Sequence, residues 1–134
     1  MKKGFIRHCV GFLAFATSML AFDLLWLGVV ARSLYVQSMG SLMRDPVYAP
    51  AALLFYVMYA FSVYWLVVRV ASSVRDVAVR GAQLGAFAYA TYDLTNWAVI
   101  AGWPASIVLP DILWGIVLTA TASAFAYTFQ RRFC

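Results

Sequence analysis

Residues 9–30 read CVGFLAFATSMLAFDLLWLGVV, an apolar run holding one acid, Asp23, and no base. A membrane-crossing helix needs about 20 predominantly apolar residues to traverse a hydrocarbon core of ~30 Å. The run meets that length. A basic leader (Lys2, Lys3, Arg7) and the small-residue pair around Phe15 resemble a signal peptide, but the apolar stretch continues to Val30, too long for a cleaved signal. The reading is a retained helix.

Working outward, three further stretches repeat the pattern. Spans are expected at about 9–30, 50–70, 81–101 and 107–130, the last beginning between Ala105 and Pro110. The composition agrees. The chain is 134 residues, 65% hydrophobic and 11% charged, against roughly 25% charged in a soluble domain. So little charge cannot cover a water-facing surface, and the lipid bilayer is the expected partner. The fold class is all-α, a single bundle of four transmembrane helices.

The charges orient it. Three basic residues precede span one, three lie around loop two (Arg69, Arg75, Arg80) and two at the end (Arg131, Arg132). Loops one and three hold two (Arg32, Arg44). The excess of Lys and Arg faces the cytoplasm, which puts both termini and loop two there. The net charge of +5 thus reads as a topology signal and not as nucleic-acid binding. Cys9 and Cys134 have no CxxC or Cys/His partner spacing, and the one histidine, His8, reads as an interface residue. No metal site or cofactor is expected.

There is no glutamate; three of the five aspartates, Asp23, Asp93 and Asp111, fall inside spans. At ~1.5 Å per residue, Asp23 lies ~21 Å from the inner face and Asp93 ~18 Å, with Asp111 near the outer start of span four. Taking Pro110 as first helical residue puts Asp111 in the first turn, where the helix dipole favours a carboxylate. The three would share one layer in the outer half of the bilayer, with no Lys, Arg or His in the spans to neutralise them. An aspartate in mid-span costs about 2.5–3.5 kcal/mol on insertion scales. Such groups must be protonated, hydrogen-bonded, wet or paired with a cation.

Candidate partners follow from helical spacing. Asn96 is one turn from Asp93 and can donate to it. Tyr89 shares that face, and Trp97 lies a turn beyond. Trp26 and Trp114 each stand three residues after an aspartate; their indole N–H only donates. The candidate binding residues are therefore Asp23, Trp26, Tyr89, Asp93, Asn96, Trp97, Asp111 and Trp114. Thr91 and Thr95 lie off that face and are expected to bond their own backbone. Gly81, Gly85 and Tyr89 form a stripe with a spacing of four, as do Ala82, Ala86 and Ala90. Such stripes let helices approach closely.

No GxSxG, HExxH, P-loop or dinucleotide motif is present, which weighs against an enzyme. The segments DLLWLG (23–28), YATYDLTN (89–96) and DILWG (111–115) resemble a bacterial family of small membrane proteins, catalogued as domain of unknown function 2177. The resemblance runs over nearly the whole chain. It implies a four-span protein of the bacterial inner membrane and no particular activity. Three readings stay open. The acidic layer binds or passes a proton, cation or small cationic solute, in a homo-oligomer if it transports. Alternatively the chain is a structural subunit of a larger membrane complex, its polar residues acting as glue. The third reading is a lipid- or isoprenoid-modifying enzyme, or a subunit of one.

Overall fold

The computed structural model describes residues 2–133; Cys134 lies outside them. It is all-α, with five helices. Helix α1 (Lys2–Leu25) ends in a π-helical turn, Trp26–Val30. A short α2 (Arg32–Met39) occupies part of what the sequence offered as loop one. Then come α3 (Ala49–Val63) with its own π-helical turn Tyr64–Val68, α4 (Val74–Val99) and α5 (Ala105–Phe133). Gly40 and Gly102 take positive φ (49° and 83°) at the ends of α2 and α4, where glycine turns the chain at no steric cost.

Three helical segments are long and apolar enough to cross a membrane: Gly4–Val30, Ala49–Val68 and Ala105–Phe133. Helix α4 is of similar length but less apolar, since Arg75, Asp76, Arg80 and Asp93 lie on it. Its start is capped: the Ser73 hydroxyl accepts from the Asp76 N–H at 3.0 Å. Asp76 in turn accepts from the Ser72 N–H at 2.9 Å and from Arg80 at 2.7 Å.

Helix α5 is the hub. It packs most extensively on α4, then on α1. The α4–α5 contact is antiparallel and close, because small residues face each other. A Cβ on Gly81 would come within 2.8 Å of the Thr119 carbonyl, and one on Gly85 would collide with the Gly115 backbone. The stripe expected from spacing therefore does build the bundle. Helix α3 lies on α1 and hardly touches α4 along its length; its terminal turn Tyr64–Val68 closes against α4 and α5 instead. The core fills around Phe15, Met19, Val63, Val68, Val77, Leu118 and Ala122, all at most 1% exposed. Large apolar side chains such as Leu13, Leu53, Phe87 and Leu113 face outward, as a lipid-solvated surface requires.

The start of the last span, left open between Ala105 and Pro110, falls at the earlier end. Helix α5 begins at Ala105, with Pro110 inside it. Asp111 is thus two turns in, and the dipole of the first turn does not account for it. Proline lacks an N–H, so the α5 ladder has one bond fewer immediately before Asp111.

Candidate functional site: an acidic, tyrosine-lined cavity

The antiparallel registers bring the three aspartates to one level. Asp23, Asp93 and Asp111 are 4%, 0% and 9% exposed. Each solves its burial differently. The Asp23 carboxylate accepts from the Tyr56 hydroxyl of α3 at 2.5 Å and from the Trp114 indole of α5 at 2.9 Å. Two charge-assisted bonds from two helices hold it. Asp111 accepts from the Tyr35 hydroxyl of α2, which ties the short connecting helix down onto the bundle.

Asp93 has no donor on either oxygen. Asp111 is its acidic neighbour across the α4–α5 contact. With both ionised, two acceptors confront each other and neither is satisfied. One shared proton satisfies both. The expected bond from Asn96 to Asp93 is not made.

The other expected residues divide. Trp114 bonds Asp23, on the neighbouring helix. Trp26 bonds no aspartate; its ring stacks on Trp114, centroids 4.5 Å apart and 5° from parallel. Tyr89 joins the site through its ring, which meets Tyr59 edge-on at 6.3 Å; Tyr59 shares a 2.7 Å hydrogen bond with Thr119. Trp97 stands apart, 52% exposed. Thr91 and Thr95 bond back to Phe87 and Thr91 carbonyls, as expected off the polar face.

These groups surround a cavity of about 430 Å³. Its wall comes from every helix: Asp23 and Leu27 beside α1, Tyr35 and Met39 from α2, Ala52, Phe55 and Tyr56 from α3, Ala88, Tyr89 and Tyr92 from α4, and Asp111 from α5. Two carboxylates and four tyrosines line it, with no basic side chain among them. Among the described residues, no three His, Cys or Asp side chains converge as a metal-ligand set.

Tyr35, Tyr56 and Tyr92 were not singled out from the sequence. Tyr56 had a readable signal: about seven residues into span two it lies at the depth assigned to Asp23. Tyr35 had none, because it sits in a connection whose helix docks only in three dimensions. A second polar cluster marks the opposite end of the bundle. There His8 Nδ1 is 2.9 Å from the Tyr64 hydroxyl, which donates to Gln130 Oε1 at 3.2 Å.

Spanning apolar helices with a buried, hydrogen-bonded Asp23 define a multi-pass membrane protein. The chain belongs to the family described as "Predicted membrane protein (DUF2177)", whose model matches residues 8–128. No curated protein and no solved structure matches it.

Proposed function

We propose that this is a four-span protein of the bacterial inner membrane whose cavity binds a small organic cation in the outer half of the bilayer. Helix α4 is the fourth span: at ~1.5 Å per residue its 26 residues reach about 39 Å, more than the ~30 Å of the hydrocarbon core, and α5 lies along it. Both termini and the α3–α4 connection are cytoplasmic, following the Lys and Arg excess. Reporter fusions after Phe133 and within residues 40–48 test this frame; an outward C-terminus would invert the depth of the site.

The observation that carries the cation reading is the lining itself. Two carboxylates and four tyrosine rings face one space without a countercharge. Tyrosine faces attract cations by about 0.5–2 kcal/mol each when desolvated. Among the described residues no three His, Cys or Asp side chains converge as a metal-ligand set, whereas an ammonium with alkyl substituents is satisfied by two carboxylates and ring faces.

Intrinsic tryptophan fluorescence reports on the site, because Trp114 bonds Asp23 and stacks on Trp26. Titration of the purified protein with tetramethylammonium should quench saturably, and Asp111→Asn should weaken the response by about tenfold or more. A response unchanged in Asp111→Asn would sink the reading. The structural reading also has an observation behind it: Asp23 ties α1 to α3 and α5, so it serves as a clamp whatever the cavity holds.

A further inference from the structure

How a cation reaches the acidic cavity depends on what closes each side of it. Helices α3 and α4 hardly touch along their length, so one side opens between them, toward lipid. A charge does not cross hydrocarbon readily. The way in from water is the end of the bundle that carries the α1–α3 and α4–α5 connections. Helix α2 lies across that end: Tyr35 and Met39 form part of the cavity wall, and Ser38 meets Ser106 at the start of α5.

This helix is held along one face only. Leu34, Tyr35, Ser38 and Met39 are half-buried, whereas Arg32, Ser33, Val36 and Gln37 on its other side are exposed. It packs on the π-helical turn before it, on the short 3₁₀ turn Gly40–Leu42 after it and on α5. Two side-chain hydrogen bonds, one turn apart, fasten it to α5: the Tyr35 hydroxyl donates to Asp111, and the Ser106 hydroxyl donates to Ser38 Oγ at 2.9 Å. Both ends allow rotation. Ala31 interrupts the helix with φ −105° and ψ 2°; being buried, it is a fixed pivot. Gly40 takes φ 49° with nothing within 4 Å of a Cβ placed there, and residues 40–48 are all exposed. A segment with so few buried contacts is the kind that opens locally while the bundle stays folded.

We infer that α2 is the gate of the acidic cavity: it swings about Ala31 and Gly40, and the Tyr35 hydroxyl latches it shut on Asp111. This rests on the cation reading for the ligand and extends it to the route the ligand takes. The latch is made on a carboxylate of the cavity itself, so the position of α2 and the state of the site are linked. With α2 shut, the Tyr35 ring completes the wall around a bound cation. The structure described here is then the closed form, and exchange of the ligand with water requires the Tyr35–Asp111 and Ser38–Ser106 bonds to part together.

The test measures access by two routes, on the full chain in phosphatidylglycerol nanodiscs with Cys9→Ser and Cys134→Ser. In the first, Ala52→Cys places a thiol in the cavity wall, and a methanethiosulfonate carrying a trimethylammonium group modifies it. Tyr35→Phe should speed the modification by about tenfold, since the shut state loses a hydrogen bond to a carboxylate. Ser33→Ala, on the exposed side of α2, is the control and should not. In the second, Ser38→Cys with Ser106→Cys, at hydroxyls 2.9 Å apart, is oxidised to lock α2 down. Stopped-flow tryptophan quenching by tetramethylammonium should then show association and dissociation both slowed by about tenfold or more, and reduction should restore them. An unchanged modification rate in Tyr35→Phe would overturn the gate. So would a locked protein that exchanges tetramethylammonium at the unlocked rate. Absence of saturable quenching in the unlocked protein would remove the cation reading, and the modification rates would still decide whether α2 gates the cavity.

Discussion

The indoles of Trp26 and Trp114 stack face to face, 4.5 Å between centroids and 5° from parallel, joining the π-helical end of the first helix to the middle of the fifth. Their polar atoms are not equivalent. Trp114 donates to Asp23 at 2.9 Å, whereas the buried Trp26 N–H makes no bond of normal geometry and lies near the Tyr35 hydroxyl. Trp114→Phe should therefore lower thermal stability in detergent by about 1–3 kcal/mol, since a buried carboxylate loses one of two donors. Trp26→Phe should cost less, within the ~0.5–1.5 kcal/mol of the ring pair. Thermal unfolding of both variants checks the order; equal losses would mean that the stack, not the bond to Asp23, holds the helices.

The facing pair Asp93 and Asp111 predicts a proton held inside the bundle. Infrared spectra at neutral pH should show a protonated-carboxyl stretch. Asp93→Asn should remove it, because the amide N–H₂ donates to Asp111 without a proton being bound. The variant should insert and fold, since it replaces one satisfied arrangement by another. Persistence of the band in Asp93→Asn would place the proton elsewhere.

Close approach of α4 and α5 depends on absent side chains. Gly85→Ala drives a methyl into the Gly115 backbone, and overpacking of this kind costs about 1–3 kcal/mol. Gly28→Ala, where nothing lies within 4 Å, is the matched control and should be neutral. The comparison is read from unfolding temperatures; a neutral Gly85→Ala would show that the helices separate at little cost.

The capped start of α4 should respond to acid. Ser72 N–H first, and Arg80 with it, holds the Asp76 carboxyl below its ordinary value. A group depressed in the folded state stabilises above its unfolded value, near 3.9, and loses that contribution as pH falls through the folded one. Hydrogen exchange at residues 74–77 should accordingly quicken below about pH 4. Ser73→Ala should quicken it at neutral pH as well, by about 1 kcal/mol of cap stability. An exchange rate insensitive to both would mean that tertiary packing alone holds this end.

Which parts were legible in the sequence follows from the range of each interaction. The apolar runs are local, so α1, α3 and α5 could be read directly. The depths of Asp23 and Asp93 needed only a rise per residue, and the small-residue stripe around Gly85 only a period. The burial of these aspartates within the bundle was therefore readable before any contact was known. The partners were not. Tyr56 meets Asp23 across helices, and Tyr35 reaches Asp111 from a connection that gives no periodic signal. Asn96 failed for a related reason: being one turn from Asp93 sets nearness along a helix but not the direction of an amide. The start of α5, left open between Ala105 and Pro110, falls at Ala105, because a proline inside a helix removes one bond of the ladder without ending it.

The turn around Gly102 links α4 to α5 within a few residues, and this bears on how the chain is made. On the proposed four-span frame, helix α4 alone is a poor client for membrane insertion, with Asp93 exacting about 2.5–3.5 kcal/mol at mid-span. Released together with α5 as a hairpin, it enters with its glycine stripe already covered by Gly115 and Thr119. The second half of the protein is then a single unit of biogenesis. A mutation that lengthened the Gly102 turn would be felt first by the translocon, as lost membrane integration of α4, and only afterwards by the site.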